Sequence, residues 1–339
     1  MKASIQAIEY HLPEDVLSTQ KLAAERPDWA VEKIDAVTGI RERHIAAPGV
    51  CASDLAVSAA EKLFGSGVCR PDDVEYVLFC TQSPDYFLPT TACLLQDRLG
   101  IPTSAGAIDF NQGCSGYVYG LSLAQGLIET GQVKTVLLLT AETYTQLIHP
   151  RDRSVRAIFG DAGAATLLHA VDSAEPVLGP FVFGTDGRGA QNLIVPAGGM
   201  RLPRSAETAR ASEDENGNTR SRDNLFMDGR EIVSFTISTV PGCVEQVLAK
   251  AGRRMEEIDL VVFHQANHHM LEHLRRQIRI PKEKFVESVA HCGNTVSSTI
   301  PIALKDALGS GRLAAGMLVL VVGWGVGYSW AGTLVRWQA

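Results

Sequence analysis

Residues 72–83, DDVEYVLFCTQS, and residues 256–267, EEIDLVVFHQAN, follow the same pattern. Each stretch has an acidic pair, an apolar residue, a further acidic residue and an apolar run typical of a buried strand, so Cys80 lies opposite His264. The apolar runs TVLLLTAE, 135–142, and MLVLVVGW, 317–324, are about as far apart as the first pair. We therefore predict an internally duplicated α/β fold in which buried strands alternate with helices.

The duplication predicts two halves that divide near residues 170–180. The first half, residues 1–175, carries a candidate nucleophile, and the second half, residues 176–339, carries its candidate partners. The alternative is that two buried strands resemble each other through composition alone.

Composition indicates an ordinary globular protein. The chain has 339 residues, of which 45% are hydrophobic and 20% charged, and this suits a large folded core. The net charge of −7 offers no basic surface for a phosphate backbone, so nucleic acid is not an expected partner. The N-terminus lacks the apolar core of a signal peptide, and no stretch approaches the ~20 apolar residues of a membrane span. We expect a cytoplasmic protein that binds no membrane.

Cys114 is the candidate nucleophile. Seven scattered cysteines without CxxC spacing favour free thiols. In AIDFNQGCSGYVYGLSLAQGLIETG, residues 107–131, an apolar strand passes through the turn 113–116 into an amphipathic helix that ends near Gly131. Glycines allow the tight turn, and the free N–H groups of a helix start favour a thiolate. The alternative is a buried structural cysteine, which is the usual role of the residue type.

His264 is the second candidate. It follows the strand IDLVVF in HQANHHMLEH, and strand ends are where α/β sheets present functional groups. At this position His264 could act as an acid, a base or a hydrogen-bond donor to an oxyanion. The spacing of His264 and His268, with His269 and His273 nearby, also resembles a zinc helix, but the glutamate of HExxH is missing. We expect no metal.

Asn294 is the third candidate. It lies in HCGNTVSSTIPIALKDALGSG, residues 291–311, directly after a glycine and before a helical run. An Asn in such a turn usually reflects local turn chemistry. Its amide can donate a hydrogen bond but cannot act as a base.

In this order, the three segments resemble the β-ketoacyl-acyl carrier protein synthases of the third type, which belong to the thiolase superfamily. The likeness spans nearly the whole chain. Other stretches similar to the family's are TGIRERHIA (38–46), FGDAGAATLL (159–168), MDGREIVSF (227–235), HQAN (264–267), GNTVSSTIP (293–301) and GWGVGYSWAGTLVRW (323–337).

The resemblance implies a thiolase-like fold, with two βαβαβαββ halves in a five-layer αβαβα core, and a homodimer. It implies that Cys114 takes an acyl group from a coenzyme A or carrier-protein thioester. His264 and Asn294 would then assist decarboxylative Claisen condensation with a malonyl thioester, in fatty acid or specialised polyketide biosynthesis. The backbone N–H groups of Cys114 and Val326 would form the oxyanion hole, and no metal or redox cofactor is needed.

Several positions depart from the family's pattern. Val326 replaces the middle residue of a triple glycine, which narrows the pocket. Trp29 lies too far upstream to match the tryptophan that stacks on coenzyme A. Leu88, beside Phe87, stands where a phenylalanine limits chain length, so we expect an acyl group other than acetyl. Phe87, Leu88 and Val233 are the predicted acyl-pocket residues.

The helix after His264 carries His269, Arg275 and Arg276, which on the resemblance would dock the acidic acyl carrier protein. Two other functions stay open: an acyltransferase that passes the acyl group to an alcohol or amine, and a non-catalytic partner subunit of a heteromeric synthase. The polar stretch 201–224 is expected to be a surface loop or partly ordered flap, without chemistry of its own.

Overall fold

The computed structural model describes residues 1–338. The strands are β1 Lys2–His11, β2 Asp15–Ser18, β3 Glu42–Ile45, β4 Tyr76–Cys80, β5 Gly106–Phe110, β6 Thr135–Glu142, β7 Ala162–Val171, β8 Leu178–Thr185, β9 Leu193–Ile194, β10 Ser212–Glu213, β11 Thr219–Arg220, β12 Phe226–Met227, β13 Leu260–Phe263, β14 Phe285–Val286, β15 Leu318–Gly325 and β16 Ser329–Arg336. The α-helices are α1 Thr19–Glu25, α2 Val31–Thr38, α3 Ala52–Gly65, α4 Thr91–Arg98, α5 Gly116–Glu129, α6 Arg153–Arg156, α7 Gly229–Ala251, α8 His268–Ile278 and α9 Thr299–Gly309.

Two five-stranded sheets repeat one arrangement. The first has the order β1-β7-β6-β4-β5, and the second has the order β8-β16-β15-β13-β14. In each sheet the first two pairings are antiparallel and the last two are parallel. Each half of the chain therefore runs βαβαβαββ, and residues 72–83 and 256–267 supply the equivalent strands β4 and β13. The predicted duplication is confirmed.

The two sheets and their helices form five layers. Helices α3 and α4 cover the outer face of the first sheet, α7 and α8 cover that of the second, and α5 and α9 lie between the sheets. The central strands β6 and β15 are buried along their whole length, which explains their unbroken apolar sequences. The predicted division at residue 175 falls in the connection between β7 and β8.

Helix α7 is long and apolar enough to cross a membrane by length and composition alone. The expectation that no stretch approaches a membrane span was wrong by that criterion. Its buried side chains include Phe235, Val240, Val244 and Val247, which join one apolar cluster with the second sheet. The helix therefore packs one face on the second sheet, in an outer layer of this fold.

The polar stretch 201–224 is a structured surface segment that includes the β10–β11 pair. Arg220 forms ion pairs with Asp152 at 2.8 Å and with Asp214 at 2.6 Å. The Asp152 carboxylate is fully buried, and the N–H of Thr219 donates to the carbonyl of Arg151 at 3.2 Å. These contacts attach the segment to the loop around α6.

Candidate active site

Cys114 lies in a tight turn between a strand and a helix. Strand β5 is followed by a 3₁₀ turn, Gly113–Ser115, and α5 begins at the next residue. Gly113 has a φ of 51°, and a Cβ there would lie 2.6 Å from Oε1 of Gln82. Only glycine fits this position. The predicted strand-to-helix setting of Cys114 is confirmed.

The end of β15 closes one side of this turn. A Cβ on Gly325 would lie 3.1 Å from Sγ of Cys114, and a Cβ on Gly323 would lie 2.8 Å from the Cys114 carbonyl oxygen. The Val326 side chain lies beside Gly113. Within residues 1–338, the backbone N–H groups of Cys114 and Val326 have no carbonyl acceptor. Both N–H groups are therefore available to a substrate oxygen.

The Cys114 side chain is buried, with 5% of the residue exposed. Burial raises the pKa of the thiol well above its ordinary value, and the Glu142 carboxyl adds to the rise. The start of α5 acts in the opposite direction, because its N–H groups favour negative charge. Burial and the start of α5 therefore act on the pKa of the thiol in opposite directions, and the thiolate expected from the helix start stays a prediction.

His264 follows β13 directly and is almost completely buried, with 2% exposed. Its backbone N–H extends the sheet by donating to the Val322 carbonyl at 2.8 Å. Its ring nitrogen Nδ1 lies 2.7 Å from Oγ1 of Thr299, and the ring stands edge-on to Trp324 at 5.5 Å between centroids. Burial lowers the pKa of His264 to about 3, so the imidazole is neutral at physiological pH.

Asn294 is held at both its backbone and its side chain. Its N–H donates to the Ile158 carbonyl at 2.9 Å, and its carbonyl accepts from Gly160 at 3.1 Å. Its side-chain Oδ1 accepts from the N–H of Val296 at 2.9 Å. Because the amide oxygen is occupied, the Nδ2 group is left as the donor.

The elements that carry these three residues meet at one site. The turn Gly113–Ser115 packs against the turn Val296–Ser298 and against the end of β15. Cys114 and Val296 belong to one apolar cluster, and Val296 in turn binds the Asn294 side chain. His264 is joined to the residue that follows the second turn. The site therefore combines a thiol, a neutral imidazole and an oriented amide.

Glu142, at the end of β6, is a buried carboxylate that sequence reasoning missed. Its Oε2 accepts from the N–H of Gln82 at 2.9 Å and from the Ser83 hydroxyl at 3.1 Å, while its Oε1 accepts from the Ser297 hydroxyl at 3.0 Å. Burial raises the pKa of Glu142 to about 7. The signal in the sequence was an acidic residue ending the otherwise apolar run TVLLLTAE.

Gln82 also connects this carboxylate to the nucleophile turn. Its side-chain Oε1 accepts from the Tyr144 hydroxyl at 3.0 Å, and its Nε2 donates to Asn111 at 2.9 Å. The same Oε1 faces Gly113, where there is no room for a Cβ. Gln82 therefore supports the turn from the side of the first sheet.

An apolar cluster lies around the candidate nucleophile. Its buried members are Cys114, Tyr144, Ile148, Val155, Phe159, Leu193, Leu225 and Val296. The predicted pocket residues Phe87 and Leu88 are instead 81% and 82% exposed, on the loop before α4, and Val233 is 45% exposed. Within one chain, these three residues lie on the surface outside the cluster.

The predicted docking residues differ in exposure and in how many hydrogen bonds their side chains already make within the chain. His269 and Arg276 are exposed on α8. Arg275 binds Glu272 through two nitrogens, at 2.7 and 2.8 Å, and donates to the Ile280 carbonyl at 2.8 Å. Arg276 makes a single hydrogen bond to Glu272, at 2.6 Å. More of the Arg276 guanidinium is therefore available to a partner.

The histidines after His264 lie on a different element. Helix α8 begins at His268, which pairs with Glu287 at 2.6 Å. Within the described part of the chain, no group of three or more His, Cys, Asp or Glu residues is placed to hold a metal ion.

Trp29 is buried and is not presented for stacking. Its ring packs with Leu17, Leu22 and Ala157, and the Arg26 guanidinium lies 5.2 Å from the ring centroid. The indole is therefore part of a small core.

The fold and the site define a thiolase-fold, acyl-transferring condensing enzyme. Two family models match the chain: 3-oxoacyl-[acyl-carrier-protein (ACP)] synthase III over residues 108–187, and the C-terminal part of that enzyme over residues 248–337. The β-ketoacyl-[acyl-carrier-protein] synthase III of Caldanaerobacter subterraneus subsp. tengcongensis is 35% identical over 339 residues, covering 99% of this chain and 98% of that protein. The chain therefore belongs to the 3-oxoacyl-ACP synthase III family.

Solved structures agree with this membership. A 3-oxoacyl-(acyl-carrier-protein) synthase III superposes with a TM-score of 0.98 at 55% identity, covering 99% of this chain and 100% of that one. The priming β-ketosynthase of the R1128 polyketide biosynthetic pathway superposes with a TM-score of 0.86 at 25% identity, covering 99% and 96%. The predicted thiolase-like fold is confirmed, and the chain is a synthase III-like condensing acyltransferase.

Proposed function

We propose that Cys114 carries the acyl group and that His264 and Asn294 assist the condensation. The observation that carries this proposal is the packing of the Cys114 turn against the turn Val296–Ser298. This second turn binds the Asn294 side chain through Val296 and is followed by Thr299, which contacts the neutral imidazole of His264. Sγ of Cys114 attacks the carbonyl carbon of an acyl thioester, and the bond from that carbon to the donor sulfur breaks. The proton lost by the Cys114 thiol ends on the donor, which leaves as a thiol, and a new thioester joins the acyl group to Cys114.

The backbone N–H groups of Cys114 and Val326 form the proposed oxyanion hole. Both lack a carbonyl acceptor among residues 1–338, and the loop of Val326 lies against the nucleophile turn. Fixed backbone donors stabilise the negative oxygen of a tetrahedral intermediate without reorganising. The valine side chain changes the shape of the pocket but leaves the amide in place.

The second step is decarboxylation of a malonyl thioester. Loss of carbon dioxide leaves an enolate oxygen, which needs hydrogen-bond donors and not a base. A neutral His264 and the Nδ2 group of Asn294 suit that need. The enolate carbon then attacks the acyl carbonyl, and the Cys114 sulfur leaves as the product forms.

We also propose a homodimer. Strand β5 is an edge strand of the first sheet, and its Ile108 is partly exposed. The loop before α4 lies near this strand, since the N–H of Thr91 donates to Asp109 of β5 at 2.6 Å. In that loop, Tyr86, Phe87 and Leu88 expose large apolar side chains. An unpaired edge beside an apolar loop suits a second copy of the chain. In the dimer, the exposed loop would complete the acyl pocket of the partner, together with Val233, for an acyl group other than acetyl.

The proposed partner for the malonyl group is an acyl carrier protein that docks on α8. Arg276 and His269 present an exposed basic surface to an acidic carrier, and Arg275 supports it from within the helix. Arg276→Glu should weaken turnover with malonyl carrier protein more than turnover with malonyl-coenzyme A. We place this activity in the cytoplasm.

Measuring the two half-reactions separately tests the residue roles. Cys114→Ala should form no acyl adduct. His264→Ala and Asn294→Ala should still be acylated, but their release of carbon dioxide from a malonyl thioester should fall about 10²–10³-fold, the usual cost of losing one oxyanion donor. His169→Ala is the matched control, because the ring of this exposed histidine hydrogen-bonds Thr135 on the first sheet. Normal decarboxylation in His264→Ala or Asn294→Ala would contradict the proposal.

A further inference from the structure

The tautomer of His264 decides whether it can assist the reaction. A neutral imidazole has one N–H, and only that nitrogen donates a hydrogen bond. Nδ1 lies 2.7 Å from Oγ1 of Thr299, and within residues 1–338 Nε2 has no hydrogen-bond partner. Nε2 is therefore the nitrogen left for the substrate, and it donates only if the ring proton is located there.

Thr299 has a single hydroxyl hydrogen and two acceptors for it. Its Oγ1 lies 2.7 Å from His264 Nδ1 and 3.1 Å from the Val296 carbonyl. If the hydrogen goes to the carbonyl, Nδ1 must carry the ring proton and Nε2 becomes an acceptor. If the hydrogen goes to Nδ1, Nε2 carries the ring proton and becomes a donor.

Val296 contacts both Asn294 and Thr299 through its backbone. Its N–H donates to Oδ1 of Asn294 at 2.9 Å, which leaves the amide Nδ2 free to donate. Its φ of 55° is rare for a β-branched residue. Strained residues of this kind persist where the surrounding structure holds them, often at active sites. Val296 therefore orients the Asn294 side chain directly and also contacts Thr299, the residue that bonds His264.

We propose that the Thr299 hydroxyl donates to Nδ1 of His264 and so fixes the proton on Nε2, which makes His264 a hydrogen-bond donor to the enolate. The Nδ1–Oγ1 distance of 2.7 Å fits either direction, and only this direction leaves a donor on Nε2, as the proposed enolate requires. Thr299 is a positioning residue, since it acts through His264 and is itself 1% exposed. The inference rests on the proposed role of His264.

The adjacent hydroxyl provides a matched control. Ser298 is equally buried, but it bonds the Thr140 hydroxyl at 2.9 Å and the Thr140 carbonyl at 3.1 Å. No hydrogen bond joins it to His264 in the described structure. Ser298→Ala therefore removes a buried hydroxyl from the same turn without touching the imidazole.

The first readout is the tautomer itself. Long-range ¹H–¹⁵N correlation on protein with ¹⁵N-labelled histidine distinguishes the protonated ring nitrogen from the bare one, and the His264 signals are those missing in His264→Ala. We expect Nε2–H in the wild type, in Thr299→Ser and in Ser298→Ala. An Nδ1–H ring in the wild type would overturn the inference, whatever the activity of the variants.

The second readout separates the half-reactions. Thr299→Val should acylate Cys114 normally but release carbon dioxide about 10- to 100-fold more slowly, by analogy with the outer hydrogen-bond partners of metal-binding histidines. Thr299→Ser should restore the rate, and Ser298→Ala should leave the ratio of the two half-reactions unchanged. Equal slowing of both half-reactions in Thr299→Val would indicate a purely structural role. If His264→Ala decarboxylates normally, the proposed function fails, and the tautomer spectrum still decides the direction of the Thr299 hydrogen bond.

Discussion

Replacing Glu142 with glutamine should stabilise the folded protein above pH 7 and change its stability little at acidic pH. Glutamine keeps the shape of the side chain and mimics the protonated carboxyl. Its oxygen can accept from Gln82 and Ser83, and its NH₂ group can donate to the Ser297 hydroxyl, as the protonated Oε1 would. The substitution therefore removes the buried charge while the hydrogen bonds remain possible.

The magnitude follows from the pKa of Glu142. Burial raises this pKa from 4.5 to about 7, so the folded state holds its proton more tightly than the unfolded chain. Such a group contributes stability fully below pH 4.5 and loses it as the pH rises through 7. Each pKa unit between 4.5 and 7 corresponds to about 1.4 kcal/mol of unfolding free energy. At pH 8 the ionised Glu142 therefore destabilises the folded protein by about 3 kcal/mol.

Urea unfolding of both proteins at several pH values, at one fixed protein concentration, measures this difference. The free energies of unfolding should nearly coincide at acidic pH, and the Glu142→Gln protein should become the more stable as the pH rises. Glu61→Gln, on the exposed side of α3, should give a curve parallel to the wild type. If Glu142→Gln is destabilised equally at every pH, the reasoning from burial and charge is refuted.

Two further substitutions and one pH profile test the site and its surroundings. Gly325→Ala should slow acylation, because the new Cβ would lie 2.9 Å from Cβ and 3.1 Å from Sγ of Cys114 and would displace the thiol; an intact mass showing acylation at the normal rate would contradict that packing. Arg220→Ala should cost about 3 kcal/mol in urea unfolding, because it leaves the buried Asp152 carboxylate without its ion pair, and an unchanged midpoint would argue against it. Since burial lowers the pKa of His264 to about 3, the pH profile of decarboxylation should show no ionisation from this residue near 6.5, its ordinary pKa; a limb there that disappears in His264→Ala would show otherwise.

The duplicated fold could be predicted because the equivalent strands are buried on both faces. Their apolar runs are distinctive, and the acidic residues before them repeat at the same spacing. The stretch 201–224 was harder, since it contains no periodic apolar pattern. It is held by contacts such as Arg220 to Asp152, between residues 68 positions apart, which no local pattern indicates.

The same limit applies to the site. Cys114, His264 and Asn294 could be predicted because each lies at a strand end or turn and because their three segments, in this order, resemble those of the family. Glu142 and Thr299 were missed because their partners are distant in the sequence, 155 positions away for Ser297 and 35 for His264. A buried carboxylate and a threonine at a helix start have no function until the fold brings these partners together.

The central claim is that Cys114 is acylated and then discharged by decarboxylative condensation. The most direct test is to incubate the wild type and Cys114→Ala with a panel of acyl thioesters, record intact masses, add malonyl carrier protein and follow carbon dioxide release. We predict an adduct only in the wild type, lost as carbon dioxide appears, with an acyl group other than acetyl preferred. An adduct that survives the malonyl thioester would instead favour transfer to an alcohol or amine, and no adduct from any donor would favour a non-catalytic partner subunit; either result would contradict the account.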